Sequence, residues 1–191
     1  MITSWGFLAL RLPEDDKQWM ENRVTILKAM GILDEKGNPT ERLDAVKAAK
    51  IARLDKVSFD NARLRMIKVC SQCHSRSFAE TNLKAGDEVI REVDQVFADS
   101  IKIVKGLYDD GILIKPKDWK YAPDLLQFYE AKSAVEQELY LIFLEYRQRA
   151  FQGAFHMNPD YMHWYGWAKV KEAAARIKDD AQRMRQEHKK M

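Results

Sequence analysis

The 191-residue chain has two cysteines, Cys70 and Cys73, which stand two residues apart with His74 directly after them. Cys70-Ser71-Gln72-Cys73-His74 is the c-type heme attachment pattern, in which two thiols add to the heme vinyl groups and the next imidazole coordinates iron on the proximal face. The spacing has a physical reason. A two-residue spacer lets both sulfurs reach neighbouring vinyls, and the following residue is held beneath the ring as a nitrogen donor. Zinc ordinarily takes four Cys or His ligands, and no second close cysteine pair exists; His156 and His163 are the nearby-spaced donors. A thioredoxin-like dithiol expects a strand-to-helix junction, whereas this motif follows a helical pattern. The expected cofactor is heme c, at one covalent site, with Cys70 and Cys73 as thioethers and His74 on the proximal iron.

The sixth iron position can hold His or Met, or stay open. His156 and His163 are the candidate distal ligands, with eight methionines behind them; His188 falls in a Lys-rich terminus and reads as solvated. A second His makes the heme an electron carrier, whereas an open position permits small-molecule chemistry. His156 and His163 belong to a dense segment that runs to Trp167. With Asn158 as N-cap, Tyr161 and Tyr165 share one helix face and Asp160 and His163 share another. From spacing alone this segment is either an aromatic wedge packing a helix end or a strip facing heme or substrate.

The elements that position these residues read as helices. Eight glycines and five prolines leave few turns for a many-stranded sheet. Pro13, Pro39, Pro123 and Pro159 stand where helices would begin. Expected helices run from about Pro13 to Met30, stopped by Gly31, and from Pro39 to Leu54, with Leu43, Val46, Ile51 and Leu54 near one side. A third, capped by Ser58, delivers the chain to Cys70. A long amphipathic helix follows from Leu83 to Tyr108, with Val89, Val93, Val96, Phe97, Ile101, Val104 and Leu107 on its stripe. Residues 112–121 connect it to a second long helix from Asp124 to about Phe151, carrying Leu125, Phe128, Tyr129, Val135, Leu139, Ile142, Phe143 and Tyr146, with Gly153 loosening its end. A charged last helix, about Ala168 to Glu187, offers the pairs Glu172/Arg176 and Asp179/Arg183. The fold class is an all-α long-helix bundle. Residues 1–78 lead into the heme segment and 79–191 form the bundle, together one structural unit.

Composition narrows the function. Lys and Arg number 32 against 29 Asp and Glu, and 46% of residues are hydrophobic, which excludes a disordered chain. Charges of both signs are interleaved without the basic, aromatic-laced stripe of a nucleic-acid binder. The apolar tract Trp5–Leu10 is too short to span a membrane, and it lacks the basic start and small-residue cleavage site of a secretory signal.

Several stretches in order, Arg11-Leu12-Pro13-Glu14-Asp15-Asp16, Gly37-Asn38-Pro39-Thr40-Glu41-Arg42-Leu43, Cys70 to Ser75, Tyr108-Asp109-Asp110-Gly111-Ile112-Leu113 and Asn158 to Gly166, resemble the C-terminal part of the octaheme hydroxylamine oxidoreductase family, which includes hydrazine dehydrogenases. The resemblance covers nearly the whole chain. It implies the C-terminal helical domain of a multiheme cytochrome, in a periplasmic, otherwise extracytoplasmic or anammoxosome-like compartment. It also implies a homotrimer with a cytochrome c or quinone-linked redox partner. Most hemes in that family are bis-His wires and one catalytic heme oxidises hydroxylamine or hydrazine; Cys70, Cys73 and His74 match the last, electron-transfer motif. In oxidising members a C-terminal tyrosine is joined covalently to a neighbouring subunit's catalytic heme, and Tyr161, with Tyr165 second, is the candidate here. Reductive relatives lack that link. Full family members carry many CxxCH motifs and this chain has one, so Met1 is expected to be an internal start and the isolated chain inactive. A stand-alone monoheme electron carrier is the alternative.

Overall fold

The computed structural model describes residues 15–48, 56–127 and 131–190. Pro13, Ile51, Leu54, Phe128 and Tyr129, named above as helix markers, lie outside them, as does the side chain of Val46. Within the described residues the chain is helical, and its one β feature is an isolated bridge between Leu33 and Pro39. The helices are α1 (Lys17–Ala29), α2 (Glu41–Ala48), α3 (Lys56–Cys70), α4 (Arg76–Asp109), α5 (Ala134–Leu141), α6 (Arg147–Phe155), α7 (Pro159–Tyr161) and α8 (Ala168–His188). Wider π-helical turns, Ile142–Tyr146 and Met162–Trp167, join α5 to α6 and α7 to α8, so each group is one continuous rod.

Caps explain several boundaries. The Asp16 carboxylate accepts from the Trp19 amide to start α1, and Gly31, at φ +64°, turns the chain where a side chain would be strained. α4 begins at Ser75, whose hydroxyl accepts from the Phe78 amide, so the long helix starts seven residues before the Leu83 expected from the stripe. Arg76 to Asn82 offer few apolar residues to signal that first stretch. The two expected parts, 1–78 and 79–191, share this helix.

The second long helix differs more. Asp124 does not start it: residues 124–127 form a turn, and α5 opens at Ala134 under a capping box of Ser133 and Glu136. Asp124 is fully buried and held by both Nη atoms of Arg42 at 2.8 Å. That pair ties α2 to the connector, and Arg42 also bonds the Met30 carbonyl at the end of α1.

α4 is the spine, packing against α1, α6 and α8. The main core joins Ile26 and Leu27 of α1 to Val93, Phe97, Ile101, Val104 and Leu107 of α4, Leu139 and Phe143 of the α5–α6 rod, and Val170, Ala173, Ile177 and Ala181 of α8. Burying each large apolar side chain there contributes about 1.5–3 kcal/mol. The described apolar members of both expected stripes therefore lie in this core or pack against it. A separate cluster, Ile67, Ala79 and Leu83 with Met66, Cys70 and Phe155 against it, lies where α3 meets α4 and α6.

Candidate heme attachment site

Cys70 is the last residue of α3, and Ser75 caps α4, so the motif occupies the corner between two helices. Hydrogen bonds close that corner tightly. The Cys70 carbonyl accepts from the amides of Cys73 at 3.2 Å and His74 at 3.0 Å, while Ser71 donates back to Ile67 at 2.9 Å. The Cys70 carbonyl is thus the hub that fixes where Cys73 and His74 leave the chain. Cys70 is half-buried against the small cluster and Cys73 is exposed; neither is in a disulfide.

The surroundings suit an apolar macrocycle. Val69, beside Cys70, is 65% exposed, and Phe78, stacked on His74, is 42% exposed. The His74 ring is also exposed. Two free thiols, an exposed imidazole one residue on and an aromatic ring stacked on it fit heme c. Cys70 and Cys73 would hold it through thioethers and His74 would ligate its iron, supplying one-electron redox chemistry.

The other sequence-derived candidates are placed less closely. His156 caps the C-terminal end of α6, exposed, one residue beyond Phe155, which packs against the same cluster as Cys70. His163 is exposed in the second π-helical turn, edge-on to Trp164 at 4.8 Å. Among the described residues no group of three or more His, Cys, Asp or Glu gathers as a metal site. Tyr161, half-buried, and Tyr165, exposed, stack with centroids 5.2 Å apart, as the i, i+4 spacing requires. They sit on the stretch that packs against α6.

The sequence reading missed a buried polar centre. Asp94 on α4 has no exposed surface and accepts from Arg23, from Arg147 Nε at 2.7 Å and from Trp19 Nε1 at 2.8 Å. An Asp inside a Val and Phe stripe is the signal that could have marked it.

Residues 42–120 match the family model described as "Seven times multi-haem cytochrome CxxCH". The cofactor is heme c. The matched stretch contains α3, the heme c corner and all of α4, and is similar to multiheme cytochromes, whose covalent hemes transfer electrons. Among solved structures the chain is similar to a Kuenenia stuttgartiensis reducing HAO-like protein complex, with a TM-score of 0.56 at 21% identity over 63% of this chain and 32% of the other. That likeness is one of fold, and the heme c chain spans about a third of the length of the relative. Among the described residues no helix is long and apolar enough to cross a membrane.

Proposed function

We propose that this chain is the single-heme, C-terminal portion of a multiheme oxidoreductase of the hydroxylamine oxidoreductase type, its heme relaying electrons between neighbouring hemes. The carrying observation is the exposed CxxCH corner inside the segment similar to multiheme cytochromes. Residues here bind and orient: Cys70 and Cys73 tether the group, His74 ligates it, and the Cys70 carbonyl fixes the turn. His156, near Phe155, is the favoured distal ligand, with His163 second. Electron relay needs no general acid or base from these side chains.

In the assembled enzyme, an extracytoplasmic homotrimer with a cytochrome c or quinone-linked partner, Tyr161 or Tyr165 reaches a neighbouring subunit's catalytic heme and the reaction is oxidation of hydroxylamine or hydrazine. A reducing enzyme is the second reading, favoured because the similar solved complex is described as reducing. Denaturing mass analysis of heme peptides from the assembled protein separates them. A peptide containing Tyr161 or Tyr165 bound to heme, with hydroxylamine-dependent heme reduction, supports oxidation. Free tyrosines with hydroxylamine consumption by pre-reduced protein support the second reading. Neither reaction, in protein with its hemes in place, contradicts both.

A further inference from the structure

Ligand histidines are usually oriented by a hydrogen bond from the ring nitrogen that does not face the metal. His74 has none: among the described residues no side chain or carbonyl bonds either ring nitrogen. What touches the imidazole is Phe78, whose ring lies nearly parallel to it, 21° between planes and 4.6 Å between centroids. Phe78 is one turn along α4, and that turn is held by Ser75, whose hydroxyl accepts from the Phe78 amide. The backbone on both sides of the contact is therefore fixed, by the Cys70 carbonyl at His74 and by the cap at Phe78.

Phe78 is not explained as core. Its neighbour Ala79 is fully buried in the small cluster, whereas Phe78 turns away from that cluster and keeps 42% of its surface in solvent. An aromatic ring so exposed finds its apolar contact on the histidine and on whatever covers the corner. An imidazole binds a metal through a lone pair in its own ring plane, so with the metal–nitrogen direction set, one rotation of the ring remains. A flat neighbour stacked on the ring opposes that rotation.

We propose that Phe78 is the positioning residue of His74, fixing by ring stacking the plane in which the imidazole meets the heme c iron. This rests on the heme c assignment and adds to it the orientation of the ligand. A flat aromatic at position 78 serves; a branched aliphatic of similar volume does not.

The test compares the heme-loaded chain with Phe78→Ala, Phe78→Leu and Phe78→Tyr after passage through a c-type maturation pathway. Covalent heme is read by denaturing mass, and ligand orientation by electron paramagnetic resonance of the ferric form and by midpoint potential. The expected result is a broadened, shifted ferric signal and a displaced potential in Phe78→Ala and Phe78→Leu, with Phe78→Tyr close to the unsubstituted protein. Heme retained in Phe78→Tyr but lost from the other two also supports the proposal. Indistinguishable signals in all four proteins overturn it, as does loss of heme from Phe78→Tyr along with the rest. Absence of heme from the unsubstituted protein overturns the heme assignment itself, and is seen in the mass alone.

Discussion

Asp94 is fully buried on α4, with Arg147 and Arg23 beside it. Burial on its own would push its carboxyl up, but Arg147 and Arg23 beside it, with hydrogen bonds from Arg147 and Trp19, hold it below the ordinary carboxylate range. Replacing Asp94 by Asn removes the buried charge that Arg147 and Arg23 both pair with, a loss of about 3–5 kcal/mol of stability, measured by urea unfolding. The lowered folded value sets the pH dependence. The stabilisation is fully present above the unfolded Asp value near ~3.9 and is lost as pH falls below it toward the folded value. The urea midpoint should therefore drop below about pH 4, and Asp94→Asn should flatten that acid limb; an unchanged limb in the variant would place the acid sensitivity elsewhere. At this scale the sequence was uneven. Cys70, Cys73 and His74 declare their chemistry by spacing, because heme attachment is a local motif. Asp94 does not, since its partners Arg23 and Arg147 are 71 and 53 residues away and only folding brings them together. Tyr161 and Tyr165 were legible as a pair on one face, because their i, i+4 spacing is local.

Glycines decide how the two rods cross. A Cβ on Gly166 would come within 2.4 Å of the Ala150 backbone nitrogen, and one on Gly153 within 2.5 Å of Met162 backbone atoms. These are contacts of α6 with the second π-helical turn, so Gly153, expected to loosen a helix end, instead lets α6 pack closely. Gly166→Ala should cost about 1–3 kcal/mol through overpacking. Gly86 is the control: it lies mid-helix in α4, and a Cβ there meets Phe155 at 3.6 Å, an ordinary contact. Gly86→Ala should be neutral or stabilising by up to about 1 kcal/mol. Denaturant midpoints read both, and equal effects would mean that close crossing is not what Gly166 provides. The long helices were visible in the sequence because Val93, Phe97, Ile101 and Val104 recur at helical spacing. The start of α4 was not, because Ser75 sets it by a cap without an apolar stripe behind it. The start of α5 was misplaced for a related reason. Pro123-Asp124 resembles a helix opening, but Asp124 is claimed by Arg42, while the Ser133/Glu136 box marks the true start.

Across the whole molecule, a large core along α4 and a small cluster at its beginning divide the work. The large core holds α1, α5, α6 and α8 around one spine, and the small cluster supports the corner that bears Cys70, Cys73 and His74. At the edge of that frame the tether leaves Cys73 and His74 exposed, as attachment of a large planar cofactor requires. The all-helical class followed from few glycines and prolines and from the stripes, and it holds among the described residues. The proposed electron relay depends on covalent heme c at this corner. The most direct measurement is the intact mass of the chain under denaturing conditions, after export through a c-type maturation pathway, since thioether-bound heme survives denaturation. A mass raised by one heme is the expected result. An unmodified mass, from cells in which a control cytochrome acquires its heme, would contradict it.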